Sequence, residues 1–437
     1  MKKHIVFIAL LMLALPVMGQ SGTNSPYSQY GLGRMADASQ SASRGMNGVG
    51  VAFREHNQVN TLNPASYSSV DSLTFMFDIG MSLQRTNFKE NGKSKNANNA
   101  DFEYAVGAFR AWKNVGVAFG ILPYTNVGYS YEQTTKMKNY EIPSTTSEPV
   151  EQTNSYDGEG GLHKVFVGVG VQPFKNFSVG VNINYMWGNI SNLVTSSYTD
   201  SYVKSFMKFY YVETKNITFD FGASYTLNVS KHDQFTVGGT ITPGSSLSKD
   251  PWCYVITSNA QDGVIDTTTY TAAGAYNIPI SFAAGLSYKR DDKLLIGVDY
   301  SYYRGSSVHV RDYVNSAGIK AETSDRMMDR HKVNIGAQYV RNPQSRKYSD
   351  RIVYRAGASY ATPYVKVNSL DGPKEIAVSA GIGLPITNMY NNRSMLNIGV
   401  RWINNNPSSS SLLRENCFMI NLGMTFNERW FAKWKFE

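Results

Sequence analysis

Alternation of apolar and polar residues at period 2, sustained over a dozen positions, limits this chain more than any other feature. Leu73, Phe75, Phe77, Ile79, Met81 and Leu83 share one face, and Thr74, Asp78, Gly80, Ser82 and Gln84 share the other. Such a pattern specifies a strand with two unlike faces. Its length is informative as well. A globular strand averages about 5–6 residues, whereas a steeply tilted strand crossing a bilayer needs about 9–11.

The same pattern recurs along the chain. Phe177, Val179, Val181, Ile183, Tyr185 and Trp187 oppose Ser178, Gly180, Asn182, Asn184 and Gly188. Near the end, Phe418, Ile420, Leu422, Met424 and Phe426 oppose Cys417, Asn421, Gly423 and Thr425. Strands are predicted near 73–85, 102–112, 115–131, 159–172, 177–191, 213–227 and 234–246. Seven more are predicted near 277–289, 293–308, 328–340, 349–366, 374–385, 394–404 and 414–427, a total of 14. The even number and the aromatic residues ending several apolar faces fit an all-β transmembrane antiparallel barrel.

The connections alternate in length. Those expected on the outer side are 86–101, 132–158, 192–212, 247–276, 309–327, 367–373 and 405–413. Those on the inner side, such as 113–114, 173–176 and 290–292, are short. Long outer loops and short inner turns are the asymmetry of outer-membrane barrels. A propeller shares some of this composition, but no repeat of fixed period with a blade signature is present.

Residues 1–19 read as a secretory signal, with Lys2 and Lys3 ahead of an apolar run from Ile5 to Val17 and a small-residue site at Val17-Met18-Gly19. The run is too short to span a bilayer as a helix. The expected domains are therefore a signal peptide (1–19), an N-terminal hatch (20–72), a 14-stranded barrel (73–427) and a periplasmic tail (428–437). The expected location is the outer membrane of a Gram-negative-type cell. The net charge of +9 is spread along the chain rather than clustered. In an exported protein that balance points to lipid headgroups or anionic ligands and not to nucleic acid.

No enzyme chemistry is legible. Gly45-Met46-Asn47-Gly48-Val49-Gly50 lacks the spacing and strand–helix context of a dinucleotide fingerprint. His56, His163, His232, His309 and His331 form no metal-ligand spacing and no local Ser/His/acid signature. No catalytic residue, metal or cofactor is expected. Cys253 and Cys417 fall in a loop and a last strand, a poor basis for a disulfide framework.

The inner phase of the strands carries both glycine and charge. Gly80, Gly180, Gly222, Gly238, Gly285, Gly297, Gly336, Gly357, Gly381, Gly399 and Gly423 all fall there. Glycine in a strand marks a bend or the close approach of another backbone, and a curved wall around an internal segment accommodates either. Asp78, Asp220, Lys289, Asp299, Lys332, Arg355 and Arg401 share this phase. Buried charges are usually paired, so a lumen network is the first expectation. Arg355 and Arg401 are the candidates for holding a ligand carboxylate, with Asp220 and Asp299 in the network.

The third strand contains Pro123, followed by Tyr124 and Thr125. Proline donates nothing to a ladder. Either the strand bulges there and a gap opens in the wall, or it ends at Leu122 and a new one begins after Asn126.

Together, the Gly-rich N-terminal segment, Asn63-Pro64-Ala65 just before the first strand, the 14 strands and the mid-strand proline resemble the FadL/TodX long-chain fatty acid transporters. The resemblance implies a hatch carrying the Asn63-Pro64-Ala65 motif and a kink near Pro123 that opens the wall laterally. It implies passive uptake of a hydrophobic, long-chain fatty acid-like molecule, with release toward outer-membrane lipid. FadL-like barrels also include the accessory barrel of the type IX secretion system, so binding of secretion-system or cargo proteins is the alternative.

Overall fold

The computed structural model of the chain describes residues 22–137, 150–258, 261, 263, 265–271, 276–308, 310–314, 320–324, 326–367, 369–386 and 394–429. The expected signal 1–19, His309 and the tail beyond Arg429 lie outside these residues.

Fourteen antiparallel strands form the wall. They are β1 (Thr74–Glu90), β2 (Lys93–Trp112), β3 (Val115–Lys136), β4 (Glu151–Phe174), β5 (Phe177–Tyr198), β6 (Ser205–Asn228) and β7 (Asp233–Thr242). Then follow β8 (Ser281–Arg290), β9 (Leu294–Tyr303), β10 (Arg330–Val340), β11 (Val353–Ala361), β12 (Lys374–Ile386), β13 (Ser394–Asn406) and β14 (Arg414–Arg429). Each pairs with its neighbour in sequence, and β1 pairs with β14 from Thr74–Arg429 to Lys89–Arg414, which closes the barrel.

The wall is inside-out relative to a soluble protein. Val167, Ile183, Ile217, Leu286, Ile335 and Val378 are exposed on the outer surface, while Asp78, Asn182, Asp299, Arg355 and Arg401 are buried in the lumen. Only hydrocarbon makes that arrangement favourable, because an apolar belt in water would forfeit about 25 cal/mol for every Å² left exposed. Short turns close the inner side, with Asn114, Asn176 and Asp291 in the left-handed region.

On the outer side the strands run further than their alternation indicates. β4 and β6 each have 24 residues, against 10 in each of β7, β8 and β9. The expected connection 86–101 is strand on both sides of a tight turn at Asn91 and Gly92, whose φ values of 46° and 78° suit a two-residue hairpin. Most of 192–212 is likewise strand, and 247–276 contains a hairpin of Trp252–Ser258 with Ile265–Thr271. Above the bilayer both faces of a strand meet polar surroundings, so the period-2 contrast fades while the hydrogen-bond ladder continues. Two smaller hairpins occur, Val310–Val314 with Lys320–Ser324 where a loop was expected, and Lys366–Val367 with Leu370–Asp371 at the end of the expected strand 349–366, whose wall portion stops at Ala361.

Candidate functional site

Residues 22–72 lie within the barrel and contribute little regular structure, chiefly a helical turn α1 (Ser41–Arg44) and a 3-10 turn (Pro64–Ser69). Small residues let this segment touch the wall directly. A Cβ added at Gly116 would fall on the Tyr67 carbonyl, and one at Gly180 would fall on Pro64. Gly222 faces Asn63, Gly238 faces Val51, Gly357 faces Met46 and Gly423 faces Ser41 in the same way. Gly116, Gly180, Gly238 and Gly357 are thus sites of close backbone approach between the wall and the N-terminal segment.

Asn63 joins the hatch to itself and to the wall. Its side-chain oxygen accepts the Ala65 N–H at 3.0 Å, capping the 3-10 turn. Its amide donates to the carbonyls of Val51 at 2.7 Å and Ala223 at 3.2 Å. Pro64 follows at the first position of the turn, where its missing N–H removes no bond.

The lumen charges are held by protein partners. Asp299 accepts the N–H groups of Gly50 at 2.6 Å and Val51 at 2.9 Å. Asp220 accepts from Thr242 at 2.7 Å and Asn184 at 3.0 Å and lies 3.4 Å from Lys164. Arg355 donates to Gln338 and Asn397, both at 2.7 Å. Arg401 pairs with Asp37 at 2.7 Å and lies 3.9 Å from Glu375, which Arg330 meets at 2.8 Å. Arg44 pairs with Glu103 at 3.0 Å.

These last pairs border a cavity of about 300 Å³, with Arg34 and Lys332 also on its wall. Burial opposes ionisation of Asp37, but Arg44, Arg401 and the Ser39 hydroxyl outweigh it and hold the carboxyl far below the usual range.

Glu103, Arg330 and Glu375 escape the sequence reading. A register shift between Gly80 and Met81 brings both Glu103 and Tyr104 inside, against strict alternation. Arg330 opens β10 and Glu375 is second in β12, where too few neighbours remain to define a phase.

The wall is interrupted beside Pro123. β3 runs unbroken through it, with Tyr124 as the extra residue of a bulge between the pairs Pro123–His163 and Thr125–Leu162. Pairing of β2 with β3 ends at Ala105–Ile121, although β1–β2 continues to Glu90–Lys93 and β3–β4 to Lys136–Glu151. Above Ile121, therefore, two sheet edges part.

A strap formed by residues 22–36 crosses this gap. Arg34 and Met35 pair as a short strand with Asn126 and Thr125, and the Ala36 N–H donates to the Tyr124 carbonyl at 3.0 Å. The Ser28 hydroxyl accepts the Gly128 N–H at 3.1 Å. On the opposite edge, β2, Asn24 donates to the Asn98 carbonyl at 3.4 Å, and from the neighbouring β1 Gln84 donates to the Gly22 carbonyl at 2.8 Å. Tyr27 reaches the Leu413 carbonyl at 2.6 Å, and the Ser25 hydroxyl bonds Glu415.

Beneath the strap, the outer half of the lumen is an apolar core. Leu32 packs with Val127, Leu162, Met186, Ile190 and Ile278, all buried, and Met327 and Val365 join them from the outer connections. Among the described residues, buried apolar side chains thus pack at the outer end and residues 22–72 pack against the wall below, with a charged cavity between.

A family model described as BamG matches residues 1–437. No curated protein matches the chain. Among solved structures, the toluene transporter TbuX of Ralstonia pickettii superposes with a TM-score of 0.60 at 15% identity, over 90% of this chain and 99% of that one. A FadL homologue of Pseudomonas aeruginosa gives 0.59 at 12% identity, over 91% and 99%. The toluene transporter TodX of Pseudomonas putida gives 0.58 at 14% identity, over 91% and 100%. At these identities the likeness is one of fold, a FadL-type barrel of 14 strands.

Proposed function

The chain belongs to the BamG family, and we propose that it is a closed FadL-type outer-membrane barrel that binds a protein partner rather than conducting a small molecule. The observation that carries this reading is the filled lumen. An apolar molecule entering from outside would have to displace Leu32 and its neighbours from one another. It would then meet the cavity edged by Arg401, Asp37, Arg330, Glu375 and Lys332. Transit there would strip solvent and partners from buried charges, which costs several kcal/mol for each ion left unpaired. The outer-membrane location is supported by the signal-like N-terminus and the exposed apolar belt.

A second reading is passive uptake of a hydrophobic, fatty acid-like or aromatic molecule with lateral release near Pro123. The parting of β2 from β3 above Ile121 favours it, as do the toluene transporters among the structural neighbours. In that reading the strap would be the gate and Asn63-Pro64-Ala65 the moving part of the hatch. Arg355 and Arg401 would meet a carboxylate only after leaving Asn397 and Asp37.

Proteoliposomes carrying the full-length protein separate the two. Partner binding predicts no ion conductance and no transfer of oleate or toluene above protein-free vesicles, whereas deletion of residues 22–36 opens the barrel. Saturable transfer by the intact protein would overturn it.

A further inference from the structure

The outer end of β6 leaves β7 behind. Pairing between them covers Phe221–Ile241 to Asn228–Gln234, and above it β6 pairs instead with Trp252–Ser258. That strand in turn pairs with Ile265–Thr271, and no further strand follows among the described residues. Among the described residues the sheet thus ends in a seven-residue edge, Ile265-Asp266-Thr267-Thr268-Thr269-Tyr270-Thr271.

Edges of this kind are normally blunted by lysine, proline or a bulge. This one carries none of the three: its register is continuous, and Asp266 is its one charge. Its threonines are β-formers, and Thr267, Thr269 and Thr271 are exposed.

The same sheet presents an aromatic row on its outer face. Trp252 lies 4.9 Å from Tyr211, 5.8 Å from Phe209 and 4.5 Å from Tyr254 between ring centres. The opposite face, with Tyr210, Val212 and Cys253, belongs to the buried core of the lumen. Lipid does not cover the row. Below it in the same phase of β6 stand Glu213 and Lys215, with Lys249 at 2.9 Å from Glu213. This charged layer separates the row from the belt residues Ile217, Phe219 and Phe221.

We infer that this edge is a strand-addition site for a partner protein. An extended segment docked along Ile265–Thr271 would pair with the main-chain groups that no described strand takes, and its outward apolar side chains would pack across the outward Thr269 and Thr271 toward the aromatic row one strand further in. Main-chain pairing supplies affinity, and the row favours a segment that alternates large apolar with polar residues. A free edge and an aromatic face outside the membrane on one sheet together select a polypeptide strand. The inference rests on the partner-binding reading and is separable from it. Vesicle transfer decides whether the barrel conducts, and the experiment below decides whether this edge binds.

The test places a photo-crosslinking residue at Thr269 of the full-length protein in its native outer membrane, with the same probe at Ile217 as a lipid-facing control. The expected result is an adduct with a different protein at Thr269 and not at Ile217. Thr267→Lys, which guards the edge, and Tyr254→Ser, which breaks the row, each lower the yield about tenfold or more, the loss typical of one interface hot spot. A disulfide between Thr257→Cys and Asp266→Cys, opposite one another in the hairpin, reports in each variant that the hairpin remains paired. No adduct at Thr269, adducts only with lipid or a second copy, or yields unchanged by both variants with the hairpin intact would each overturn the inference.

Discussion

Asp299, on β9, accepts the N–H of Gly50 at 2.6 Å, and the same oxygen takes the N–H of Val51 at 2.9 Å. A wall carboxylate thus holds two successive backbone donors of the hatch. The Gly50 carbonyl also accepts the Asn60 side-chain amide at 2.7 Å, so this link reaches the turn before Asn63. Removing Asp299 leaves two buried donors without a partner.

Asp299→Ala should therefore free the hatch while the barrel stays folded. Hydrogen bonds to a charged group contribute about 1.5–3 kcal/mol each, so losing both should make local opening roughly a hundred- to ten-thousandfold more frequent. Amide hydrogen exchange over residues 45–55 reads this directly. Asp299→Asn keeps the shape and an acceptor but loses the charge, and should fall between wild type and alanine. Unchanged protection in the alanine variant would mean that the glycine contacts alone hold the hatch.

Those contacts have their own test in a matched pair. At Gly116 an added methyl meets the Tyr67 carbonyl, a backbone atom that moves only if the Pro64–Ser69 turn moves. At Gly239 the nearest atom is the Ala283 carbonyl oxygen at 3.8 Å, an ordinary contact. Gly116→Ala should destabilise the protein by about 1–3 kcal/mol, as overpacking does. Gly239→Ala should stay within about 0.5 kcal/mol. Heat-modifiable gel migration across a temperature series compares the two.

The pairing of Asp37 with Arg401, in the field of Arg44, sets a pH window. The folded carboxyl lies far below the ordinary aspartate value of about 3.9. Its stabilising contribution is complete above the unfolded pKa and is lost as pH falls through the lower folded pKa. Protection of residues 36–48 should thus hold from pH 7 down to pH 4. Asp37→Asn should lower protection throughout that range, and the two proteins should converge only at more acid pH. Convergence already near pH 5 would place the ion pairs outside the hatch lock.

Much of the wall was legible because each strand crosses one environment with two sharply different sides. Phe177 to Trp187 alternate since one face meets lipid and the other the lumen, and Gly180, Gly222, Gly238, Gly297, Gly336 and Gly357 of the inner phase abut the N-terminal segment. Legibility stopped where that contrast stopped. Beyond Leu83 both faces of β1 are polar, so the strand reaches Glu90 without a periodic signal. The bulge at Gly80 and Met81 overrides alternation at Glu103. The partnership of Asp37 with Arg401 spans 364 positions, and spacing along a chain carries no trace of it. Asn91-Gly92 was readable as a hairpin turn, but without alternating flanks it passed for a loop.

The strap yields the last prediction. Met35 and Thr125 are opposed in an antiparallel pair, where Cα atoms lie about 4.5–5.5 Å apart, within the span of about 4.4–6.8 Å that a disulfide bridges. Met35→Cys with Thr125→Cys should form that bond during export, seen as faster migration on a non-reducing gel. Cys253 and Cys417 are both buried and should not compete, and changing both to serine removes doubt about pairing. If the bond fails to form, the strap does not lie on β3. Where it forms, the two readings of the protein diverge. A locked strap abolishes transfer of a hydrophobic molecule if the gap is an exit. It leaves crosslinking at Thr269 unchanged if the barrel works by strand addition at its outer edge.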